Sequence, residues 1–272
     1  DTLYYYCNAH SGMGSSINVT TDIFKADPYA WKCVLAMPLV GNSTDESANI
    51  NVNSSAKTFA VQGNTSARTV SNYYGGSLYF DGSGDYLGAT SNSDFAMGTG
   101  DFTLECWVYR DSAGGFTNFM ATRGAPGSAN GYTWGAQSNG NGNDIEFYTN
   151  GLQLDGGSQK IENKKWHHVA VTRSGNTLSS FVNGILNTTA LNSQNFSNTS
   201  LAIAMTNDGS QGPLNGYLQD VRAYKGVAKY TENFVVGSTA PDVLPDTPSG
   251  VSGKSNLTKI TEGAVTLVNS TD

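Results

Sequence analysis

The sequence predicts an all-β protein built as a two-sheet antiparallel sandwich. Three observations carry the expectation. Short apolar–polar alternations recur every eight to twelve residues or so, bounded by Gly, Asn, Asp and Ser, which is the spacing of sandwich strands. Gly is abundant, at 32 of 272 residues, while charged residues make up only 14%; this suits many short strands joined by polar turns. The third is Lys165–Gly184, KWHHVAVTRSGNTLSSFVNG. There His167, Val169 and Val171 alternate with His168, Ala170 and Thr172, the period-two pattern of a strand. Ser174-Gly175-Asn176 is turn chemistry. Leu178, Ser180 and Val182 then alternate with Ser179, Phe181 and Asn183, and Asn183-Gly184 signals the next tight turn. Trp166 is large enough to anchor one rim of the core.

The remaining elements follow in order. Residues 1–20 (DTLYYYCNAHSGMGSSINVT) read as a terminal hairpin, strand-like at Thr2–Tyr6 and Ser16–Thr20. Residues 21–30, with Asp27-Pro28, read as a linker. Residues 31–236 hold the sandwich. Trp31–Leu39 reads as an edge strand, with Pro38 near its end, and Thr58–Val61 as a further edge piece. Core strands are expected at Ser77–Leu87, Phe102–Tyr109, Phe119–Thr122, Tyr132–Gln137, Asp144–Thr149, Leu201–Met205 and Tyr217–Tyr224. Residues 237–255, with Pro241, Pro245 and Pro248, read as an extended linker. Residues 256–272 alternate like one or two more strands, either the start of a further repeat or a strand that adds to a neighbouring subunit's sheet edge. A disordered tail is the plainer alternative.

Four motifs carry a family resemblance: the hairpin W-H-H-V-A-V-T-R…F-V-N-G, the segment Ser77–Leu87 with its Asp81-Gly82 turn, Phe102–Tyr109, and Leu214–Tyr224 (LNGYLQDVRAY). In this order they resemble the laminin-G-like, concanavalin A-like jelly-roll domains. The resemblance implies a structural calcium where the Asp81 turn approaches the closing strand at Asp220, with oxygen ligands suited to a hard cation. The alternative is that Asp81 caps its turn and Asp220 pairs with Arg222 or Arg173. In the terminal hairpin, Cys7-x-x-His10-x-x-Met13 resembles the copper loop of amicyanin-like cupredoxins, a soft-ligand set. The second His of such sites is missing, so copper is not expected and the hairpin reads as a packing or interaction element.

Catalysis is not expected. Glu105 is isolated in its strand, Glu146 has only Asp144 near it, and the paired carboxylates of sugar hydrolysis are missing. His167 and His168 are adjacent in a strand, so their rings point to opposite faces and cannot share a metal; one buried and one exposed His is the expectation. Carbohydrate binding is a natural candidate. Tyr132, Trp134, Gln137, Asn139 and Asn141 combine aromatic and amide groups near a Gly-rich loop, although Trp134 suits a core position equally. Cys33 and Cys106 read as buried free thiols, with a disulfide between them as the alternative.

The net charge of -7 and pI near 4.9 leave no basic stripe for nucleic acid. No apolar run reaches the ~20 residues of a membrane helix. The chain starts at Asp1 without an initiator Met or a charged leader, as a processed product or one section of a longer one does. Nine Asn-x-Ser/Thr triplets, at Asn18, Asn42, Asn53, Asn64, Asn187, Asn195, Asn198, Asn256 and Asn269, permit glycosylation.

The expected function is a non-enzymatic extracellular or virion-surface structural and adhesive subunit. It would assemble with copies of itself head to tail into a fibre, in likeness to repeat-containing fibre and adhesin proteins of aquatic phages and bacteria. A lectin module that binds cell-surface glycans is the alternative, and a copper protein the second alternative.

Overall fold

A computed structural model of the chain describes residues 2–6, 14–18, 27, 29–51, 53–72, 75–112, 115–123, 130–138 and 143–236, with backbone alone for the first two segments. Seventeen strands are present among them: β1 (Thr2–Tyr6), β2 (Gly14–Asn18), β3 (Cys33–Met37), β4 (Phe59–Gln62), β5 (Ser66–Arg68), β6 (Ser77–Asp81), β7 (Tyr86–Ala89), β8 (Phe102–Arg110), β9 (Phe116–Ala121), β10 (Thr133–Ser138), β11 (Asn143–Tyr148), β12 (Leu152–Leu154), β13 (Trp166–Ser174), β14 (Thr177–Val182), β15 (Ile185–Leu191), β16 (Ala202–Ile203) and β17 (Asn215–Lys225). One α-helical turn, Ser47–Ile50, interrupts them.

The expected two-sheet antiparallel sandwich is the observed architecture. One sheet runs β12-β11-β10-β9-β16-β7-β4. The other runs β15-β14-β13-β8-β17-β6-β5, with β3 added on β17. β1 and β2 pair only with each other. Cys7, His10 and Met13 lie outside the described residues, as do the linker read at 237–255 and the further strand or strands read at 256–272.

The hairpin read from Lys165–Gly184 is β13 and β14, paired from Val169↔Val182 to Ser174↔Thr177. Its inward positions, Val169, Val171, Leu178 and Val182, join the main core with Leu104, Cys106 and Val108 of β8. The centre of that core is aromatic. Phe102, Tyr132, Phe147 and Phe196 meet at centroid separations of 5.2–6.3 Å, offset and edge-on arrangements worth about 0.5–1.5 kcal/mol per pair beyond area burial. Arg173 covers this cluster and donates to the carbonyls of Gly98, Gly100 and Gln194, tying β13 to two loops.

β17 organises the second sheet. It pairs with β8 along most of its length, while on its other side Asn215–Leu218 pair with β6 and Val221–Tyr224 with β3. The register shifts between Gln219 and Arg222, where Asp220 holds a φ of 53°. A bulge of this kind bends the strand, and Asp is one of the few residues that occupies left-handed backbone readily. Asp220 N–H donates to Pro38 O at 3.2 Å, which hands the strand from one partner to the next.

Trp166 does not anchor a core rim. It lies half-buried on the outer face of this sheet, in a cross-strand row with Tyr109, Tyr217 and Tyr79. Cys33 and Cys106 are both free and buried. They sit on opposite faces of the sheet, Cys106 in the main core and Cys33 in a small outer cluster with Ala36 and Tyr224. Burial pushes the Cys33 thiol up to about 12.

Two corrections concern the outer face of β8 and β13. Glu105 is not isolated, and neither histidine is exposed. Residues beyond β17 run back across this face and deliver Lys229, whose Nζ lies 2.7 Å from Glu105 Oε1 and 3.2 Å from Asp27 Oδ2. Tyr230 Oη donates to Glu105 Oε2 at 2.7 Å, and His168 Nε2 is 3.6 Å from the same oxygen. Tyr224 Oη donates to Asp27. Tyr230 and Phe234 stack at 3.6 Å and cover His168 and Phe181. His167, on the opposite face as expected, accepts from the Glu162 N–H through Nε2, and its Nδ1 meets the Asn183 amide.

Arg110 ends the inward row of β8, fully buried, with Nε and Nη1 unpartnered among the described residues and one bond of 3.5 Å from Nη2 to Thr117 Oγ1. Burial pushes its pKa down to about 10. A buried cation without a counterion costs several kcal/mol. Arg110→Met, similar in volume, is therefore expected to raise stability by about 1–2 kcal/mol in chemical denaturation; a loss of stability would contradict this account.

Candidate functional site

A polar cavity lies on the outer face of the β10–β11 half of the seven-stranded sheet. Alternation builds it. In β10, Trp134 and Ala136 face the core and Thr133 and Gln137 face out. In β11, Ile145 and Phe147 face the core, and Glu146 and Tyr148 face out. Phe116 at the start of β9, Arg123 beyond its end, and Thr206 and Gln211 from the loop after β16 complete a cavity of about 260 Å³.

Gly135 stands between Thr133 and Gln137 in β10, paired with Glu146 across β10–β11. A β-bulge next to it, where Trp134 opposes Met120 but Gly135 opposes Asn118, draws β9 close. A Cβ at Gly135 would collide with the Thr117 carbonyl. The close approach of β9 to β10 beside the cavity therefore requires glycine at this position.

Glu146 is 6% exposed, and its Oε2 has no hydrogen-bond partner among the described residues. Burial, with the Asp155 charge adding to it, pushes its carboxyl up to about 7. Asp144, on the same face, is bound to Lys160. Arg123 lies over the Tyr148 ring at 4.8 Å and donates to Thr149 O. The arrangement offers a half-buried tyrosine, a second aromatic edge, one carboxyl free to donate or accept, and two Gln side chains. It suits a neutral polyhydroxyl ligand: apolar ring faces against the aromatics, hydroxyls on the polar groups.

Of the residues read from the sequence as a sugar site, only Gln137 lines this cavity. Trp134 is 0% and Tyr132 1% exposed. Trp134 packs edge-on against Phe119, and Tyr132 stacks on Phe102 and Phe147. Neither can meet a ligand. Asn139 and Asn141 lie outside the described residues. Glu146 and Tyr148 were missed as ligand residues, although the alternation of DIEFYT placed them on one face.

The proposed calcium pair is not brought together. Asp81 pairs in register with Asn215, and Asp220 stands five residues further along β17, roughly 16 Å away at a strand's rise. Asp81 Oδ1 accepts from Ser83 N–H, capping its turn, while Asp220 takes Arg222 in a two-pronged ion pair with both bonds at 2.7 Å. Among the described residues no three His, Cys, Asp or Glu side chains group to hold a metal ion. Of the sequons, Asn42, Asn53, Asn64 and Asn195 are exposed, whereas Asn187 and Asn198 donate their side-chain amides to Gly156 O and Thr122 O. The side chain of Asn18, and Asn256 and Asn269, lie outside the described residues. No described helix is long and apolar enough to cross a membrane.

The model of a family described as the concanavalin A-like lectin/glucanases superfamily (laminin G type) matches residues 81–232. No curated protein matches the sequence. Among solved structures, the chain is similar to domain 4 of AbnA, a GH43 extracellular arabinanase from Geobacillus stearothermophilus, in complex with arabinotriose. The TM-score is 0.54 at 15% identity, over 73% of this chain and 95% of that one. It is also similar to the botulinum neurotoxin serotype D/C binding domain, with TM-score 0.53 and 16% identity over 74% of this chain. A third similarity is to a type C neurotoxin structure from work on cell entry dependent on two ganglioside molecules, with TM-score 0.53, 13% identity and 74% of this chain covered. The chain spans 50% of each neurotoxin chain. At these identities the likeness concerns the fold.

Proposed function

The chain belongs to the concanavalin A-like lectin/glucanases superfamily, and we propose that it is a non-catalytic carbohydrate-binding module of a secreted protein. Its site is the cavity over β10 and β11. The observation that carries the reading is a buried carboxyl, Glu146, with one oxygen unpartnered among the described residues, beside Tyr148 and Phe116 in a cavity of about 260 Å³. Three points support it. The volume suits one or two sugar rings. An arabinotriose complex and a ganglioside-dependent toxin stand among its structural neighbours. Asp144 is committed to Lys160, so the site offers one uncommitted carboxyl where glycoside hydrolysis uses a cooperating pair. An extracellular location accords with the extracellular arabinanase among its structural neighbours.

The test is calorimetric titration of the full chain with arabino-oligosaccharides and a broad glycan panel. A saccharide that binds with a Kd of about 1 mM or tighter, a binding free energy of roughly −4 kcal/mol, is expected. Tyr148→Ala should weaken it about tenfold, the loss of ~1.4 kcal/mol of stacking, with the circular dichroism spectrum unchanged. Unaltered affinity in that variant, or no binding to any glycan, would remove the proposal.

Glu146 also gives a pH signature. Its folded pKa, about 7, lies above the ordinary carboxylate value, so the folded state holds an extra proton between pH ~4.5 and 7. Stability therefore falls as pH rises through that window. Glu146→Gln should flatten the slope, by about 1–2 kcal/mol between pH 5 and 8, in urea titrations at each pH.

A further inference from the structure

A second concave surface lies at the far edge of the other sheet, where β3 begins and β17 ends. Trp31, Lys32, Val34, Asn51, Asn53, Lys225 and Gly226 line a groove of about 360 Å³. Trp31 is 61% exposed, whereas Trp134 is fully buried and Trp107 and Trp166 are half-buried. Exposing an indole sacrifices a large burial gain, so an exposed tryptophan in a concavity points to a ligand.

The charge around it is the second observation. The chain carries a net charge of -7, yet among the described residues two lysines and no carboxylate line this groove. Lys32 Nζ lies 4.4 Å from the Trp31 ring centroid, and Lys225 Nζ donates to Ser93 O at 2.8 Å. Gly226, with φ at 81°, leaves the space that Lys32 crosses: a Cβ there would stand 3.3 Å from its Nζ. Asn51 is consumed internally, donating to Cys33 O and accepting from Asn53 N–H. The exposed Asn53 side chain remains to meet a ligand hydroxyl.

We propose that this groove binds a carboxylated sugar, the ring against Trp31 and the carboxylate between Lys32 and Lys225. A flat protein partner would not need the concavity, and a neutral sugar would not need two lysines. The site is separate from the β10–β11 cavity and stands or falls independently of it.

The test titrates the full chain with tetragalacturonic acid and with its fully methyl-esterified form, which has the same rings without the charge. The acid should bind at least tenfold tighter than the ester at low salt, and the preference should shrink as salt rises. Lys32→Glu with Lys225→Glu should abolish binding of the acid, and Trp31→Ala should weaken it several-fold. Tyr148→Ala should leave it unchanged, which separates this site from the other. Equal binding of acid and ester by the wild-type chain overturns the proposal whether or not the lysine variant folds. So does absence of binding by the acid, or binding that survives charge reversal in a folded variant.

Discussion

Lys229→Ala is expected to destabilise the domain by about 3–5 kcal/mol, the cost of leaving a buried charge without its partner, and to lower the melting temperature by roughly 10 °C. Lys229 Nζ is the cation between Glu105 and Asp27, and all three side chains are 5% exposed or less. Burial alone would neutralise these groups. Instead, against burial, Lys229 together with His168 and Arg222 holds the Glu105 carboxyl well below the usual carboxylate range, and Glu105 with Asp27 raises the Lys229 ammonium. The signs fix the pH window. A carboxylate with a lowered folded pKa stabilises above its unfolded value and loses that contribution as pH falls through the folded one. A lysine with a raised pKa keeps its contribution up to the ordinary lysine range and loses it above. The wild-type network therefore contributes from mildly acidic to mildly basic pH. In the Ala variant, Glu105 has lost its nearest cation, and stability should decline as pH rises from 5 to 8. Denaturant titrations at several pH values test both statements. Partial recovery in Lys229→Met with Glu105→Gln and Asp27→Asn is also expected, since neutral groups need no counterion. A Lys229→Ala variant as stable as wild type would mean the network contributes nothing.

Gly135→Ala should cost about 3 kcal/mol or more, as a strain change at a closely approached backbone, and should abolish sugar binding at the same time. Most Gly-to-Ala exchanges in strands gain stability by reducing unfolded-chain entropy. Here the added carbon would meet the Thr117 carbonyl and Asn118 Cα, both backbone, so β9 and β10 must separate. Phe116 and Gln137 lie at either side of that joint. A variant with wild-type stability and altered affinity would place the effect in the cavity alone; no change in either quantity would remove the glycine from the account.

The architecture was legible because alternation is local. β8, β10, β11, β13 and β14 each declare their two faces within six to nine residues. The same rule, applied strictly, excludes the sugar site read from the sequence. Trp134 and Gln137 stand an odd number of residues apart in one strand, so they cannot share a face. Trp134 suits core and ligand site equally when read alone; its place in the alternation of β10 puts it in the core. What sequence could not supply was partnership at long range. Glu105 looks isolated because its cation arrives 124 residues later. Asp81 and Asp220 look like neighbours because two motifs are adjacent in the sheet, while the register that separates them, Asp81 opposite Asn215, is a pairing of distant strands that no local pattern declares.

The bulged strand β17 also sets the order in which the molecule can form. β17 is the shared neighbour of β3, β6 and β8, and Tyr224 reaches Asp27 across 197 residues. On a ribosome, β3, β6 and β8 must each wait, with one edge open, until Lys225 has emerged. Topologies so rich in distant pairings fold in roughly milliseconds to seconds, and chains held open that long are vulnerable to pairing with a nascent neighbour. Maturation of this domain should therefore depend on chaperone capacity more than its final stability would suggest.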